Sequence, residues 1–322
     1  MTITAHETHL LDPADLINFD ALLSAEELAL RAKVRSFVNE AIKPNIAGWY
    51  ADAVFPLEIV PEMGKMGLLG MHLKGYGCGG GTAVEYGLAG SELEAGDSGL
   101  RTFVSVQGSL AMSAIHKHGS EEQKQEWLPK MAKGEAIGCF GLTEPTAGSD
   151  PSAMKTFARR DGDDWVINGT KRWIGLANVA QVAIIWGAMG AARDSFEDAL
   201  AYSKTRMQFD KPLAGYQMTQ QKLVDMALEI NKGYLLALHI GRMKDAGTLD
   251  LHQISVGKLN NCREAIKIAR EARTILGGNG ITLEYSPLRH ANNLESVRTY
   301  EGTDEVHTLI LGNKLTGVPA FR

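Results

Sequence analysis

Apolar residues recur at three- and four-residue intervals along most of the chain, the spacing of one buried helix face. In the first half this spacing predicts a helix that starts at the capping box from Ser24 to Glu27 and ends near Pro44. It returns over 56–70 and 84–118, and a second capping box from Ser120 to Gln123 starts a further short helix. In the second half it predicts helices over 188–207, 217–245, 252–275 and 304–315.

Strand-like runs occur between Ile137 and Trp186, where Gly, Asn, Asp and Pro separate short apolar segments. The runs are GCFGLT, DDWVINGTKRWIG and VAIIW. Three short strands can neither close a barrel nor cover both edges of a sheet, so this β region is small for the helices that flank it. Its end is abrupt, because VAIIWGAMGAA (182–192) changes from a predicted strand to an Ala-rich helix without a turn.

Composition and charge narrow the kinds of partner. The 322 residues are 44% hydrophobic and 22% charged, with a formal net charge of −5 and no clustering of Lys and Arg. This balance offers no basic face for nucleic acid and no polybasic segment for a membrane surface. The chain starts without an apolar signal core, no run approaches the ~18 apolar residues of a membrane span, and the three cysteines form no C-x-x-C pair. We therefore expect a bacterial cytoplasmic protein without stable membrane insertion.

Two glycine-containing segments carry candidate chemistry. In GLTEPTAGSDPS (141–152), backbone N–H groups and short hydroxyl side chains suit a planar polar ring or a pyrophosphate, although composition alone favours an ordinary turn. In YEGTDEVHTLI (300–310), Glu301 lies between an aromatic residue and a glycine, just before a predicted helix capped by Thr303. The helix dipole explains Asp304 and Glu305, whereas Glu301 lies outside the helix and suits a general base.

Two other features have simpler interpretations. Arg101 is the only basic residue in DSGLRTFVSVQGSL, and a surface salt bridge would account for it. His116 and His118 lie two residues apart in a predicted helix and point to different faces, so we expect no metal site there.

Five segments resemble motifs of the acyl-CoA dehydrogenase family in their order and spacing: CFGLTEPTAGSDPS, NGTKRWI, RMQFDKPLAGYQ, ILGGNGI and TYEGTDEVHTLILG. The resemblance runs over nearly the whole chain. It implies an N-terminal helical domain over 1–136, a middle β domain over 137–186 and a C-terminal four-helix bundle over 187–322. It also implies FAD as the cofactor and a homotetramer, or a homodimer, as the assembly.

By matching positions, the resemblance implies that Glu301 is the base that removes the α-proton of an acyl-CoA thioester. The thioester carbonyl would accept hydrogen bonds from the N–H of Gly302 and from a flavin hydroxyl, and hydride would pass from the β-carbon to flavin N5. The implied cofactor contacts include Phe140, Leu142, Thr143, Gly148, Ser149, Trp173, Ile174, Gly175, Leu276, Gly277, Gly278, Thr303, Asp304, Glu305 and Phe321. A neighbouring subunit would supply Arg206, Phe209 and Gln217.

Within the family, the chain resembles glutaryl-CoA dehydrogenases most. Their helix pattern E-x-x-D-S-G-x-R-[ST]-x-x-S-V-Q occurs here from Glu94 to Gln107. It implies that Arg101 pairs with the distal carboxylate of glutaryl-CoA, a charge-assisted contact that a monocarboxylic acyl chain cannot make. The implied substrate contacts are Glu94, Arg101, Thr102, Ser105, Ser149, Tyr300 and Gly302. The implied product is crotonyl-CoA after loss of CO2, and the implied electron acceptor is an electron-transferring flavoprotein.

Two departures from the family pattern stand out. At the flavin-facing turn most relatives have W-I-T-N, whereas this chain has Trp173, Ile174 and Gly175, and Gly175 has no hydroxyl. Relatives also have a long β connection between a V-V-W-A strand and a later I-A-W-G-A helix, and the sequence predicts that this connection is lost between Ile184 and Gly187. We therefore predict a middle β domain that is shortened internally and low flavin occupancy. The alternatives are a short-chain acyl-CoA dehydrogenase or oxidase, and a non-catalytic relative that acts as a helical scaffold.

Overall fold

The computed structural model describes Asp12 and residues 15–174 and 181–320 of the chain. Over these residues the predicted mainly α architecture is confirmed. The N-terminal helices are α1 Ala25–Phe37, α2 Ile46–Ala51, α3 Val60–Lys65, α4 Ala83–Gly96, α5 Ser98–Val106, α6 Ser113–His118 and α7 Glu121–Ala132. Both predicted capping boxes form, at α1 and α7, and a π-helical turn over Gln107–Met112 joins α5 to α6.

The β structure of the described residues consists of two antiparallel hairpins. Strand β1 (Phe157–Asp161) pairs with β2 (Asp164–Asn168), and β3 (Met207–Gln208) pairs with β4 (Lys211–Pro212). Phe157 on one face of the first hairpin and Ile167 on the other are 58% and 72% exposed. This hairpin is therefore a small solvated ribbon and not half of a filled barrel.

The C-terminal helices are α8 Gln181–Thr205, α9 Gln217–Asp245, α10 Leu251–Leu276, α11 Ser286–Thr299 and α12 Asp304–Thr316. Helices α8 to α11 form the predicted four-helix bundle, and α12 packs against α10. The sequence pattern placed α9, α10 and α12 within a residue of their observed ends. It missed α11, whose SPLRHANNLESVRT carries few apolar residues because two of its buried positions are occupied by Arg289 and His290.

The predicted strand VAIIW is wrong, because Val182–Trp186 forms the first turns of α8. Val182, Ala183, Ile184, Ile185 and Trp186 are all at most 3% exposed, and a helix buried on every side is apolar all round, so it lacks the period that distinguishes it from a buried strand. The predicted boundary at 186/187 thus falls inside a helix. The predicted position of the lost β connection, between Ile184 and Gly187, is also wrong, because these residues belong to α8. Any such junction lies before Gln181.

The run GCFGLT forms neither a helix nor a strand and belongs to neither hairpin, so the predicted strand there is wrong as well. The described residues provide no neighbouring strand for its backbone to pair with. Of DDWVINGTKRWIG, the part over Asp164–Asn168 forms β2 as predicted.

Small residues let α4 and α8 cross in close contact at the centre of the molecule. A Cβ on Gly87 would lie 2.3 Å from Trp186 Nε1, and a Cβ on Gly190 would lie 2.0 Å from the Ser91 carbonyl oxygen. Trp186 is fully buried in the largest core, between α4 and the bundle. The crossing fixes α4, and with it α5, against the bundle.

In the ranges 15–174 and 181–320, no helix combines the length and the apolar character needed to cross a bilayer.

Candidate active site

Glu301 lies in the short connection between α11 and α12 with a left-handed backbone, φ 54°. This conformation is uncommon for a residue with a Cβ and costs roughly 1–3 kcal/mol. The residue is only 6% exposed. Gly302 follows with φ 90°, and a Cβ there would lie 2.8 Å from the His307 ring. A buried carboxylate is therefore presented on a strained turn that only a glycine can complete.

Buried side chains bind the backbone of this turn. The Lys258 ammonium of α10 donates to the carbonyl oxygens of Tyr300 and Gly302. His307 Nε2 lies 3.2 Å from the Glu301 carbonyl oxygen, and its Nδ1 lies 3.0 Å from Ser255 Oγ. Burial lowers the pKa of His307, which favours a neutral ring whose Nε2–H donates to Glu301 while Nδ1 accepts from Ser255.

Arg101 of α5 lies beside this turn although 200 residues separate it from Glu301 in sequence. Its guanidinium donates to the Glu94 carboxylate, to Ser105 Oγ at 3.3 Å and to the Tyr300 hydroxyl at 2.6 Å. Thr102 Oγ1 is 3.3 Å from the same hydroxyl. The surface salt bridge considered for Arg101 is excluded, since the Arg101 and Glu94 side chains are 1% and 0% exposed.

The charges of this cluster stabilise one another. Burial disfavours the charged form of Arg101, but Glu94, Tyr300 and Glu301 together outweigh it and raise the pKa of the guanidinium. The Glu301 carboxylate contributes in the same direction, so it lies within electrostatic range of Arg101. Burial raises the pKa of Tyr300 to about 12, so its hydroxyl stays neutral.

The start of α12 is capped as predicted: Thr303 Oγ1 accepts from the N–H of Val306 at 3.4 Å. The Asp304 carboxylate is buried and paired with Arg298 and Arg263, which lower its pKa. Glu305 is exposed. The Asp304 carboxylate is therefore occupied by its two arginine partners. The backbone N–H groups at the start of α12 are the atoms suited to binding an anion.

The loop from Phe140 to Ser149 is bound to the segment before Ile174. The carbonyls of Leu142 and Thr143 accept from Lys171 Nζ at 3.0 Å and from the N–H of Arg172 at 2.9 Å. Glu144 joins the loop to the first hairpin by accepting from the N–H groups of Lys155 and Thr156. Gln107 anchors the segment before the loop, because its side chain accepts from the N–H of Gly138 and donates to the Ala136 carbonyl.

This loop and Trp173 form an open platform. The Trp173 side chain is 78% exposed, with the Arg172 guanidinium 4.7 Å from its ring centroid, and Ile174 is 38% exposed. Phe140 and Leu142 line an apolar groove together with Leu110 and Ala114. A Cβ on Gly148 would meet no other heavy atom within 4 Å, so the backbone there is open to a ligand. Exposed aromatic surface beside accessible loop backbone fits a planar ring system such as a flavin.

Six further predicted cofactor residues lie at the opposite end of the bundle. Leu276 ends α10, 18 residues after Lys258, which is about 27 Å along a helix. Gly277 (φ 60°) and Gly278 follow it, and both are exposed. Near that end, Arg206 follows α8, Phe209 is 82% exposed at the β3–β4 turn with φ 48°, and exposed Gln217 starts α9.

The structure thus brings the predicted base and predicted substrate residues together, and it separates two groups of cofactor residues within one chain. Gly175 and Phe321 lie outside the described residues.

Lys258 and His307 were missed by sequence reasoning. Lys258 occupies the position between Ile254 and Cys262 on the buried stripe of α10 and is 2% exposed. A lysine on an otherwise apolar stripe is the signal that could have identified it, because such a charge is rarely buried without a specific partner.

Comparison with known proteins shows the family of the chain. The family models for the acyl-CoA dehydrogenase N-terminal and C-terminal domains match residues 24–135 and 168–316. The chain belongs to the acyl-CoA dehydrogenase family.

Three relatives define its place more closely. A glutaryl-CoA dehydrogenase from Mycobacterium smegmatis, solved in complex with FADH2, superposes with a TM-score of 0.93 at 50% identity, over 96% of this chain and 99% of that one. A glutaryl-coenzyme A dehydrogenase in complex with glutaryl-CoA has a TM-score of 0.86 at 25% identity, over 93% and 98% of the two chains. A short-chain-specific acyl-CoA dehydrogenase from Clostridium acetobutylicum is 28% identical, over 92% of this chain and 99% of that protein.

The alignment with the Clostridium protein spans 376 residues, more than the 322 of this chain. Because it reaches across 99% of that relative, the residues without a counterpart here lie inside the alignment. This supports the predicted internal shortening of the chain.

Proposed function

We propose that the protein catalyses the FAD-dependent α,β-dehydrogenation of an acyl-CoA thioester, with Glu301 as the base. The observation that carries the proposal is the buried Glu301 carboxylate on its left-handed turn, next to the Arg101 and Tyr300 cluster. Membership of the acyl-CoA dehydrogenase family supports it.

In the proposed reaction, the Glu301 carboxylate takes the α-proton of the thioester. The adjacent N–H of Gly302 donates to the thioester carbonyl and stabilises the charge that develops there. Burial of Glu301 keeps water from competing for the proton. Bound FAD supplies the two-electron chemistry by accepting the hydride that leaves the β-carbon, so that a carbon–carbon double bond forms.

FAD would be held by the platform of Phe140, Leu142, Thr143, Gly148, Ser149, Trp173, Ile174 and Gly175, and by the helix start at Thr303, Asp304 and Glu305. The second group, made of Arg206, Phe209, Gln217, Leu276, Gly277 and Gly278, would come from a neighbouring subunit, and Phe321 is a further proposed cofactor contact. The distance of about 27 Å along α10 supports that division. A homotetramer, or a homodimer, provides such a neighbour.

The proposed substrate is glutaryl-CoA, which loses CO2 after dehydrogenation to give crotonyl-CoA. Arg101 supports this, because Glu94, Ser105 and Tyr300 use three of the five guanidinium N–H groups, which leaves two donors for a distal carboxylate. The 50% identity to a glutaryl-CoA dehydrogenase supports it as well. Electrons would leave through an electron-transferring flavoprotein in the bacterial cytoplasm.

A second candidate is a short-chain acyl-CoA dehydrogenase in which Arg101 is structural. The favouring observation is that the Arg101 guanidinium is already paired with Glu94 and is buried. The 28% identity to a short-chain-specific enzyme agrees with it.

Flavin reduction by glutaryl-CoA and by butyryl-CoA separates these candidates. We compare the wild type with the double variant Glu94→Gln with Arg101→Met, which removes both charges together. If Arg101 binds the distal carboxylate, kcat/KM for glutaryl-CoA falls about 100-fold, which corresponds to ~2.7 kcal/mol, while that for butyryl-CoA changes little. An unchanged ratio of the two values assigns Arg101 a structural role.

The role of Glu301 is tested by Glu301→Gln, which preserves the size of the side chain. We expect flavin content and acyl-CoA binding to persist while flavin reduction falls by about 10²–10⁴-fold, because no base remains to take the α-proton. Reduction at the wild-type rate would exclude Glu301 as the base. A wild-type protein that binds neither FAD nor acyl-CoA would instead be the non-catalytic helical scaffold.

A further inference from the structure

Three consecutive carbonyl oxygens, those of Tyr300, Glu301 and Gly302, each have a buried side chain as partner. Lys258 donates to the first and the third, and His307 Nε2 lies beside the second. Lys258 and His307 are 2% and 3% exposed, and they come from different helices, α10 and α12.

This arrangement accounts for a conformation that the local sequence does not favour. Glu301 has no local reason to adopt φ 54°, since a left-handed backbone is costly for a residue with a Cβ. Such strain persists where surrounding contacts over-determine it. The two peptides that flank Glu301 carry the Tyr300 and Glu301 carbonyls, which Lys258 and His307 bind, so a rotation of either peptide would break one of these bonds inside the core. Lys258 also binds the Gly302 carbonyl of the next peptide.

We infer that Lys258 and His307 are positioning residues that hold the Glu301 backbone left-handed and so aim its carboxylate at the substrate α-carbon. This inference rests on the proposed function, in which Glu301 is the base. We call the two side chains and the three carbonyls the carbonyl brace.

The charges around Lys258 agree with its role in the carbonyl brace. Burial lowers the pKa of Lys258, while the Glu301 and Asp304 carboxylates favour its charged form. The ammonium therefore has a carboxylate to compensate it as well as carbonyl oxygens to bind, and it binds the turn from the bundle side of the site.

Catalysis is tested with Lys258→Met, which keeps the length of the side chain but donates nothing, and with His307→Leu. The matched control is Lys267→Met, a lysine of the same helix whose side chain is 67% exposed and paired with Glu264. We expect the rate of flavin reduction to fall about 100-fold in Lys258→Met and about tenfold in His307→Leu, with the dissociation constant for acyl-CoA changed less than about threefold. Lys267→Met should behave as the wild type.

A non-additivity test separates positioning from general destabilisation. If Lys258 acts through Glu301, Lys258→Met lowers the residual rate of a Glu301→Gln protein no further. An additional 100-fold loss in that background, or an unchanged rate in Lys258→Met itself, would overturn the inference.

A thermodynamic readout tests the carbonyl brace without any turnover. At φ 54° glycine is preferred to alanine, so Glu301→Gly should melt about 2 °C or more above Glu301→Ala. In a Lys258→Met background the turn is free to relax, and this difference should vanish. If no acyl-CoA reduces the flavin of the wild-type protein, the proposed function is wrong. The melting comparison would still show whether Lys258 holds the turn in its left-handed conformation. An equal Gly–Ala difference in both backgrounds would overturn the brace even in an active enzyme.

Discussion

Glu94 and Arg101 form an ion pair that is almost completely removed from water, with side chains 0% and 1% exposed. Loss of one partner from such a pair leaves an uncompensated buried charge, which costs more than loss of both. The pair therefore couples the stability of the α4–α5 corner to the site that it lines.

At the residue scale, we predict that Arg101→Met lowers the free energy of unfolding by about 3–5 kcal/mol, because the Glu94 carboxylate stays buried without its partner. The double variant with Glu94→Gln should recover most of this loss. Guanidinium chloride denaturation measures both. Arg159→Met is the control, since Arg159 and Asp161 form an exposed pair 3.5 Å apart and such pairs contribute about 0–1 kcal/mol. Equal losses in the single and double Arg101 variants would contradict the prediction.

At the scale of helices, a charged triad connects α1, α4 and α8. The buried Glu92 carboxylate accepts from Arg35 and from Arg193, each through two nitrogen atoms. Although burial alone would raise the pKa of Glu92, the two guanidinium groups lower it from 4.5 to about 2. The folded protein therefore binds fewer protons at this carboxylate than the unfolded chain does between these two values.

The triad predicts an acid-dependent loss of stability. Because the folded pKa is the lower one, the contribution of Glu92 is present above about pH 4.5 and is lost as the pH falls toward 2. It amounts to about 3 kcal/mol. In urea denaturation between neutral pH and about pH 3, Glu92→Gln should show a shallower decline than the wild type. Exposed Glu126 of α7 supplies the control Glu126→Gln, and identical slopes for wild type and Glu92→Gln would refute this account.

The α4–α8 crossing predicts opposite effects for two glycine substitutions inside helices. Gly190→Ala places a Cβ 2.0 Å from the Ser91 carbonyl oxygen, a backbone atom that cannot move aside, so we expect a loss of at least about 1–3 kcal/mol. Gly312→Ala in α12 meets no atom within 4 Å and should stabilise the protein by about 0.5–1 kcal/mol through helix propensity. Thermal denaturation compares the two. A neutral Gly190→Ala would mean that the two helices lie further apart.

At the scale of the whole molecule, two groups of predicted cofactor residues, the helix start at Thr303 and the group around Leu276, lie at opposite ends of the bundle. If subunits share sites, two different inactive chains can complement each other. Glu301→Gln supplies an intact Arg206 and Phe209, whereas Arg206→Ala with Phe209→Ala supplies an intact Glu301. We predict that co-expression of the two restores part of the activity that each lacks alone. As the control, the two variants are expressed separately and mixed as preformed homo-oligomers. If co-expressed chains form mixed oligomers without activity, each site is built from one chain.

Flavin retention is a second property of the whole molecule. The Trp173 side chain is 78% exposed, and both faces of the β1–β2 hairpin are exposed to solvent. We predict that purified protein holds less than one FAD per chain and regains flavin absorbance when FAD is added. The ratio of flavin to protein absorbance after gel filtration measures this. A stoichiometric yellow preparation would show that other parts of the assembly cover the ring.

Most of the predicted site residues were identified from short sequence motifs. The segment around Glu301, the loop from Phe140 and the helix with Arg101 were each identified from residues close together in sequence, where turn chemistry and helix caps act. Contacts between distant segments could not be read in this way. The pairing of Arg101 with Tyr300 joins residues 199 apart, and the bonds from Lys258 to the turn join residues 42 and 44 apart.

The sequence by itself determined the helical class, the extents of α9, α10 and α12, and the family motifs, because these depend on local spacing and residue type. Only the tertiary structure decided that VAIIW is helical, since complete burial removes the polar positions that give a helix its period. Only the tertiary structure placed Arg101 as a buried cation and Lys258 as a partner of the turn at Glu301. Those properties depend on which distant side chains share the same small volume from which water is excluded.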